Sequence, residues 1–211
     1  MISMFEGAKN FNQTLSSWDV SSVISMGGMF KGAASFNQPI DQWDVSRVAT
    51  LTNMFHNAAT FNQALSSWNV GSVTSMRDMF YGAKNFNQPI DMWDVRSVTT
   101  MSSMFQDAVA FNQPLGSWDV SSVVKMESMF ARASSFNQPL DSWLVSSATE
   151  MDAMFFQAQS FNQNLCSWNE YVDLESVDFT NSLDQEFFQG TACLDTSTPS
   201  ANTSSWCHPC N

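Results

Sequence analysis

Residues 104–123 read Met-Phe-Gln-Asp-Ala-Val-Ala-Phe-Asn-Gln-Pro-Leu-Gly-Ser-Trp-Asp-Val-Ser-Ser-Val, and the same skeleton lies 25 residues away in both directions. Met-Phe recurs at 4–5, 29–30, 54–55, 79–80, 104–105, 129–130 and 154–155. Phe-Asn-Gln starts at 11, 36, 61, 86, 111, 136 and 161. No copy slips by a residue, so seven copies fill residues 1–170. A fixed period of this length marks a repeat architecture in which each unit buries its apolar face only against its neighbours. Such chains display a surface more often than they enclose a catalytic pocket.

The second copy shows how one unit is expected to fold. Ile40, Trp43 and Val45 follow the L-x-x-L-x-L spacing of a leucine-rich-repeat strand, with Trp43 and Val45 inward and Gln42, Asp44 and Ser46 outward. Val48, Leu51, Met54, Phe55 and Ala58 then fall on one face of a helix, with Ser46 placed to cap it. Phe61-Asn62-Gln63 returns the chain to the next strand. The expectation is an α/β solenoid, a leucine-rich-repeat-like stack of seven 25-residue coils with short parallel strands on one face and helices on the other. Residues 1–170 form its body; 171–211 form a degenerate last repeat and a disulfide-bonded cap. Met1 stands in the column of Met26, Met76, Met101, Met126 and Met151, so the chain reads as a fragment or processed product whose earlier repeats are missing, with one apolar end face open.

Four columns carry the candidate residues. Trp18, Trp43, Trp68, Trp93, Trp118, Trp143 and Trp168 are placed in the core by the alternation. Thirteen of the 14 methionines also lie in repeat columns. A methionine stripe can be a promiscuous binding face, but this spacing beside Phe and Ala favours core. Asn12, Asn37, Asn62, Asn87, Asn112, Asn137 and Asn162 recur without exception. Stacked asparagines can bond the backbone of adjacent coils, and this structural ladder is preferred to a ladder for glycans or ions. Asp19, Asp44, Asp94 and Asp119 form an outward acidic column with Asn69, Leu144 and Asn169. Calcium between coils is one reading of it. The other, preferred because the column tolerates Asn and Leu, is local bonding to turn N–H groups. A weaker pattern of double period places Asp41, Asp91 and Asp141 on alternate coils after Pro-Ile or Pro-Leu. A polysaccharide could match it, although duplication of a two-repeat unit explains it by descent.

Only 13% of residues are charged and the net charge is −12. Residues 166–211 hold seven acidic groups and no Lys or Arg. With no basic stripe for a phosphate backbone to meet, nucleic acid is excluded as a partner. No apolar run is long enough to span a bilayer. No other cofactor is expected beside the calcium alternative. Asn12-Gln13-Thr14 and Asn202-Thr203-Ser204 match glycosylation sequons; Asn202, in a loop-like tail, is the better candidate, because Asn12 belongs to the ladder.

All four cysteines, Cys166, Cys193, Cys207 and Cys210, lie where the repeat decays. An even count there suggests two disulfides closing the core end, with three pairings possible. Zinc and a Cys207-His208-Pro209-Cys210 redox pair are the alternatives. Nearby, Phe187-Phe188-Gln189-Gly190-Thr191-Ala192 echoes Met-Phe-x-x-Ala.

The unit Met-Phe-x-x-Ala-x-x-Phe-Asn-Gln-Pro-Leu-x-x-Trp-Asp-Val-Ser-x-Val, unbroken within residues 102–123, resembles the BspA-like leucine-rich-repeat surface proteins. More narrowly, it resembles their subgroup carrying a mycoplasma lipoprotein-associated repeat of unknown function. The resemblance implies a secreted or cell-surface protein linked to adhesion, and it transfers no catalytic residue.

The functional expectation is a non-enzymatic extracellular structural or adhesive protein, with copies of itself stacked head-to-tail into filaments as a sharper version. The alternative is a recognition module that binds surface proteins or glycans through the sheet face. Only His56 and His208 exist, and no Ser-His-Asp set or metal-binding histidine pair is apparent, so an enzyme is the least favoured class.

Overall fold

The computed structural model describes residues 1–172, 177, 187–196, 199 and 205–210. Each 25-residue copy makes one coil, and the coils lie one upon the next. Their backbone consists of turns, which corrects the expected strands and helices.

The segment read as helical, 48–58 in the second copy, is a series of three-residue turns. The N–H groups of Met54, His56 and Ala58 bond back to the carbonyls of Leu51, Asn53 and Phe55 at 3.0, 3.2 and 2.9 Å. The alternate residues point along the stack instead. Asn53, Phe55 and Asn57 donate to Arg77, Met79 and Tyr81 of the next coil at 2.9, 2.9 and 2.6 Å. Asn53 and Asn57 have φ of +59° and +56°. Two left-handed residues four apart cannot belong to one right-handed helix.

The strand expectation fails for a different reason. Trp43 and Val45 do face inward, with 3% and 1% exposure, while Gln42 and Asp44 are exposed. Yet Trp43 N–H closes a turn on Ile40 O at 3.1 Å. No backbone ladder links that arc to its neighbours. Among the described residues, parallel pairing survives only as single-residue bridges, Ser25 to Thr50, Thr50 to Ser75, and onward through Thr100, Lys125 and Glu150. The α/β solenoid is therefore overturned, and with it the sheet face suggested for binding. Among the described residues the regular elements are a 3-10 helix, Cys166–Glu170, and a hairpin of β1 (Ser205–Trp206) and β2 (His208–Pro209).

Two kinds of bond hold the stack together. One arc of each coil is joined to its neighbours through the main chain, as at Phe30 N–H to Met54 O, 2.9 Å. The opposite arc is joined through side chains. Equivalent rings record the result. Phe80 and Phe105 are 5.6 Å apart, Phe86 and Phe111 6.0 Å, and Trp93 and Trp118 6.4 Å. The coils thus fan apart toward the tryptophan side, where longer side-chain links replace direct backbone bonds.

Between these arcs runs a continuous core of Met, Phe, Ala, Leu or Ile, Trp and Val from every coil. The phenylalanines form two interleaved columns, with Phe105 and Phe111 rings 4.0 Å apart and within 7° of parallel. Such contacts add about 0.5–1.5 kcal/mol per pair beyond the burial of apolar area.

After Trp168 the pattern is interrupted, and Phe187 resumes it. Phe155 and Gln157 donate to the carbonyls of Phe187 and Gln189 at 3.1 and 2.6 Å, as Phe130 and Arg132 do to Met154 and Phe156 of the seventh coil. Phe188 stacks on Phe155 within 11°, and Gly190 has φ +77° where earlier coils have their own left-handed residue. Residues 187–190 thus occupy the places of an eighth coil.

Candidate functional site

The invariant asparagines stand on the side-chain-linked arc. Asn87 Oδ1 accepts the N–H of Asn112 and the Nε2 of Gln113, both at 2.9 Å. The same pair of bonds recurs from Asn12, Asn37, Asn62, Asn112 and Asn137 to the following coil. Each asparagine thereby supplies the side-chain acceptor that joins its coil to the next. At the end, Asn162 Oδ1 lies 3.9 Å from Cys207 Sγ of the cap. Asn12, expected to be shut away in this ladder, is exposed in the first coil.

The tryptophans supply the second link. Each indole N–H from Trp43 to Trp168 donates to the Leu or Ile carbonyl of the preceding coil, at 2.9–3.2 Å. Trp43, Trp68, Trp93, Trp118, Trp143 and Trp168 are at most 3% exposed, and Trp18 is half-buried. Serine hydroxyls add a third link, as from Ser72 to Ser46 O and from Ser97 to Gly71 O, each 2.8 Å.

The acidic column is satisfied within its own turns. Asp19 Oδ1 accepts the N–H and hydroxyl of Ser21 at 3.0 and 2.6 Å, and Asp119 does the same with Ser121 at 3.1 and 2.6 Å. Asp44 accepts the Ser46 N–H at 3.1 Å. The serine hydroxyl, then the serine N–H, hold these three carboxyls below the usual carboxylate range. Asp94 is gripped by the Arg96 guanidinium at 2.8 and 2.7 Å, which brings it down to about 2. Among the described residues, no three His, Cys, Asp or Glu side chains converge as a metal site.

Coil edges carry further ion pairs that sequence reasoning did not single out. Arg132 meets Asp107 two-pronged at 2.7 and 2.8 Å, and Lys125 meets Glu150 at 2.6 Å. Their only sequence signal is opposite charge at an offset of 25. His56 stacks on Tyr81 at 4.4 Å, its Nδ1 lacks a hydrogen-bond partner, and desolvation lowers its pKa.

Two disulfides fix the cap, Cys166–Cys210 and Cys193–Cys207. They fit oxidising surroundings. No helix among the described residues is long and apolar enough to cross a membrane. The sequon asparagine Asn202 lies outside the described residues.

These features define a repeat protein whose coils are stitched by side-chain columns. Residues 1–93 and 74–189 match the family described as Mycoplasma protein of unknown function, DUF285, and the chain belongs to that family. None of the curated proteins matches the chain.

Proposed function

We propose that the chain is a non-enzymatic extracellular module of structural or adhesive type, a stack that holds varied side chains at fixed spacing on a cell surface. The supporting observation is the division of every coil into columns that do not vary and positions that do. Leu15, Ile40, Leu65, Ile90, Leu115, Leu140 and Leu165 are buried. Next to the alanine of each coil, by contrast, Lys9, Lys84, Val109 and Gln159 are exposed and differ in chemistry. The repeated polar groups are engaged in joining coils, whereas catalysis needs a unique converging set. The disulfides and the resemblance to BspA-like surface proteins support the extracellular placement.

A filament of stacked copies is less favoured, because the cap turns Trp206 and Phe187 edge-on at the C-terminal end. Recognition of proteins or glycans belongs on the exposed columns, in place of the absent sheet face.

The test is adherence of beads coated with the oxidised protein to cells and glycan surfaces, with particle size followed by light scattering. Specific adherence by a monomer supports the reading. A turnover activity abolished by one point substitution in a correctly folded protein would overturn it.

A further inference from the structure

We propose that the groove between the sixth and seventh coils binds one pyranose ring of a neutral glycan. This rests on the adhesive reading above and names its ligand class. The groove encloses about 300 Å³ and is lined by Pro139 and Asp141 of the sixth coil and by Gln163, Asn164, Cys166 and Ser167 of the seventh. That volume falls at the small end of ligand sites.

The groove exists because the coils diverge on this side. Trp143 and Trp168 are 6.3 Å apart, against 5.6 Å for Phe130 and Phe155. Side chains alone cross the gap here. The indole of Trp168 donates to Leu140 O at 3.0 Å and the Ser167 hydroxyl to Asp141 O at 2.6 Å.

Subtracting the bonds already made leaves a defined set of groups. Asn164 Oδ1 accepts the Cys166 N–H at 2.8 Å, and Gln163 Nε2 donates to Asn137 Oδ1 at 2.8 Å and to its carbonyl at 3.2 Å. Both carboxylate oxygens of Asp141, Oε1 of Gln163 and Nδ2 of Asn164 have no hydrogen-bond partner among the described residues. A carboxylate accepts two adjacent hydroxyls, an amide oxygen a third, and an amide N–H donates to a ring or hydroxyl oxygen. Pro139 offers an apolar wall to a C–H face. No Lys or Arg lines the groove, which disfavours an anion. A polyhydroxylated ring with one apolar face meets each of these features.

Other junctions lack the combination. Between the second and third coils, the Asp41 carboxylate is already taken by the N–H and hydroxyl of Ser67 at 3.0 and 2.8 Å. Between the fourth and fifth, Pro114 and Gly116 stand where the seventh coil has Asn164 and Cys166, so the amide donor is missing.

The full oxidised chain should be titrated with methyl glycosides of hexoses and N-acetylhexosamines, monitored by amide NMR, with Asp141→Ala, Asn164→Ala and Asp41→Ala compared. We expect saturable shifts at Gln163 and Asn164, weakened about tenfold by either groove substitution and unchanged by Asp41→Ala. Unaltered melting and an absence of free thiols exclude misfolding of the variants. Absence of shifts with every sugar, or binding that survives both groove substitutions, overturns the proposal. If beads coated with the Asp141→Ala protein still adhere to glycan surfaces, the groove is wrong and the adhesive reading stands. If unsubstituted protein adheres to nothing, both fall.

Discussion

Trp206 meets Trp168 at 68° with ring centroids 5.8 Å apart, whereas Trp143 and Trp168 lie within 6° of parallel at 6.3 Å. The cap thus seats one more indole over the column and rotates it, so that the ring faces come to an end. Phe187 turns likewise, at 84° to Phe188 and 88° to Trp206.

Keeping those rings in place is the task of the disulfides. Cys193–Cys207 spans 14 residues and Cys166–Cys210 spans 44. Removing the first by paired serine substitution should cost about 3 kcal/mol and removing the second about 4 kcal/mol on the chain-entropy account. Guanidinium unfolding of each double variant measures this. The shorter loop proving the costlier to lose would contradict it.

Asparagine links should matter more in the middle of the stack than at its first coil. Asn87→Ala strips the shared side-chain acceptor from Asn112 N–H and Gln113 Nε2. We expect a loss of about 2–3 kcal/mol. Asn12→Ala, at an exposed residue, should cost less than half as much. Equal losses in urea melts would count against the ladder as a load path between coils.

Backbone conformation gives a sharper contrast. Gly82 has φ +62°, and a Cβ there would collide with Asn57 Oδ1, whereas a Cβ at Gly7, φ +72°, meets nothing within 4 Å. Gly7→Ala should therefore cost only the left-handed penalty, about 1 kcal/mol, and Gly82→Ala that penalty plus the displacement of the exposed Asn57 side chain. Thermal melts of the two variants decide the order.

Acid should loosen the outward turns in a narrow window. The folded-state pKa values of Asp19, Asp44, Asp94 and Asp119 are all depressed, so their contribution is complete above the unfolded carboxylate value and is lost as pH falls through the folded values. For Asp94 that means a decline from about pH 4 toward about 2. These groups are solvated, so the stability change is small and the titration itself is the better readout. Arg96→Ala should move the carboxyl carbon titration of Asp94 upward, toward the ordinary value. An unmoved midpoint would show that the guanidinium does not hold it.

The period, the core columns and the clustering of cysteines at one end could all be read from the sequence, because burial in a stacked repeat imposes one residue type per position. The local backbone could not. Apolar spacing of three, four and seven residues is shared by helices and by successive three-residue turns. What separates them was present at two positions of the supposed helix: Gly28 and Gly32, Asn53 and Asn57, Asp78 and Gly82, all with positive φ. Residues suited to left-handed backbone, recurring four apart, argue against a helix more strongly than the apolar spacing argues for one. Inward–outward alternation does not by itself require a sheet, because Trp and Asn side chains here take over the role of the ladder. The groove beside Asp141 was hidden from sequence, since it depends on which of two acceptors Ser167 chooses.

The bonds from Asn87 to the coil after it are the same as those from Asn62, Asn112 or Asn137 to theirs. The links that stack the coils are therefore shared from junction to junction, although the outer polar groups differ, and a gene that gained or lost a 75-base-pair copy by unequal recombination would need no new interface to be invented. Length becomes a quantity that a lineage can adjust without redesign, and one terminal cap would serve products of any size.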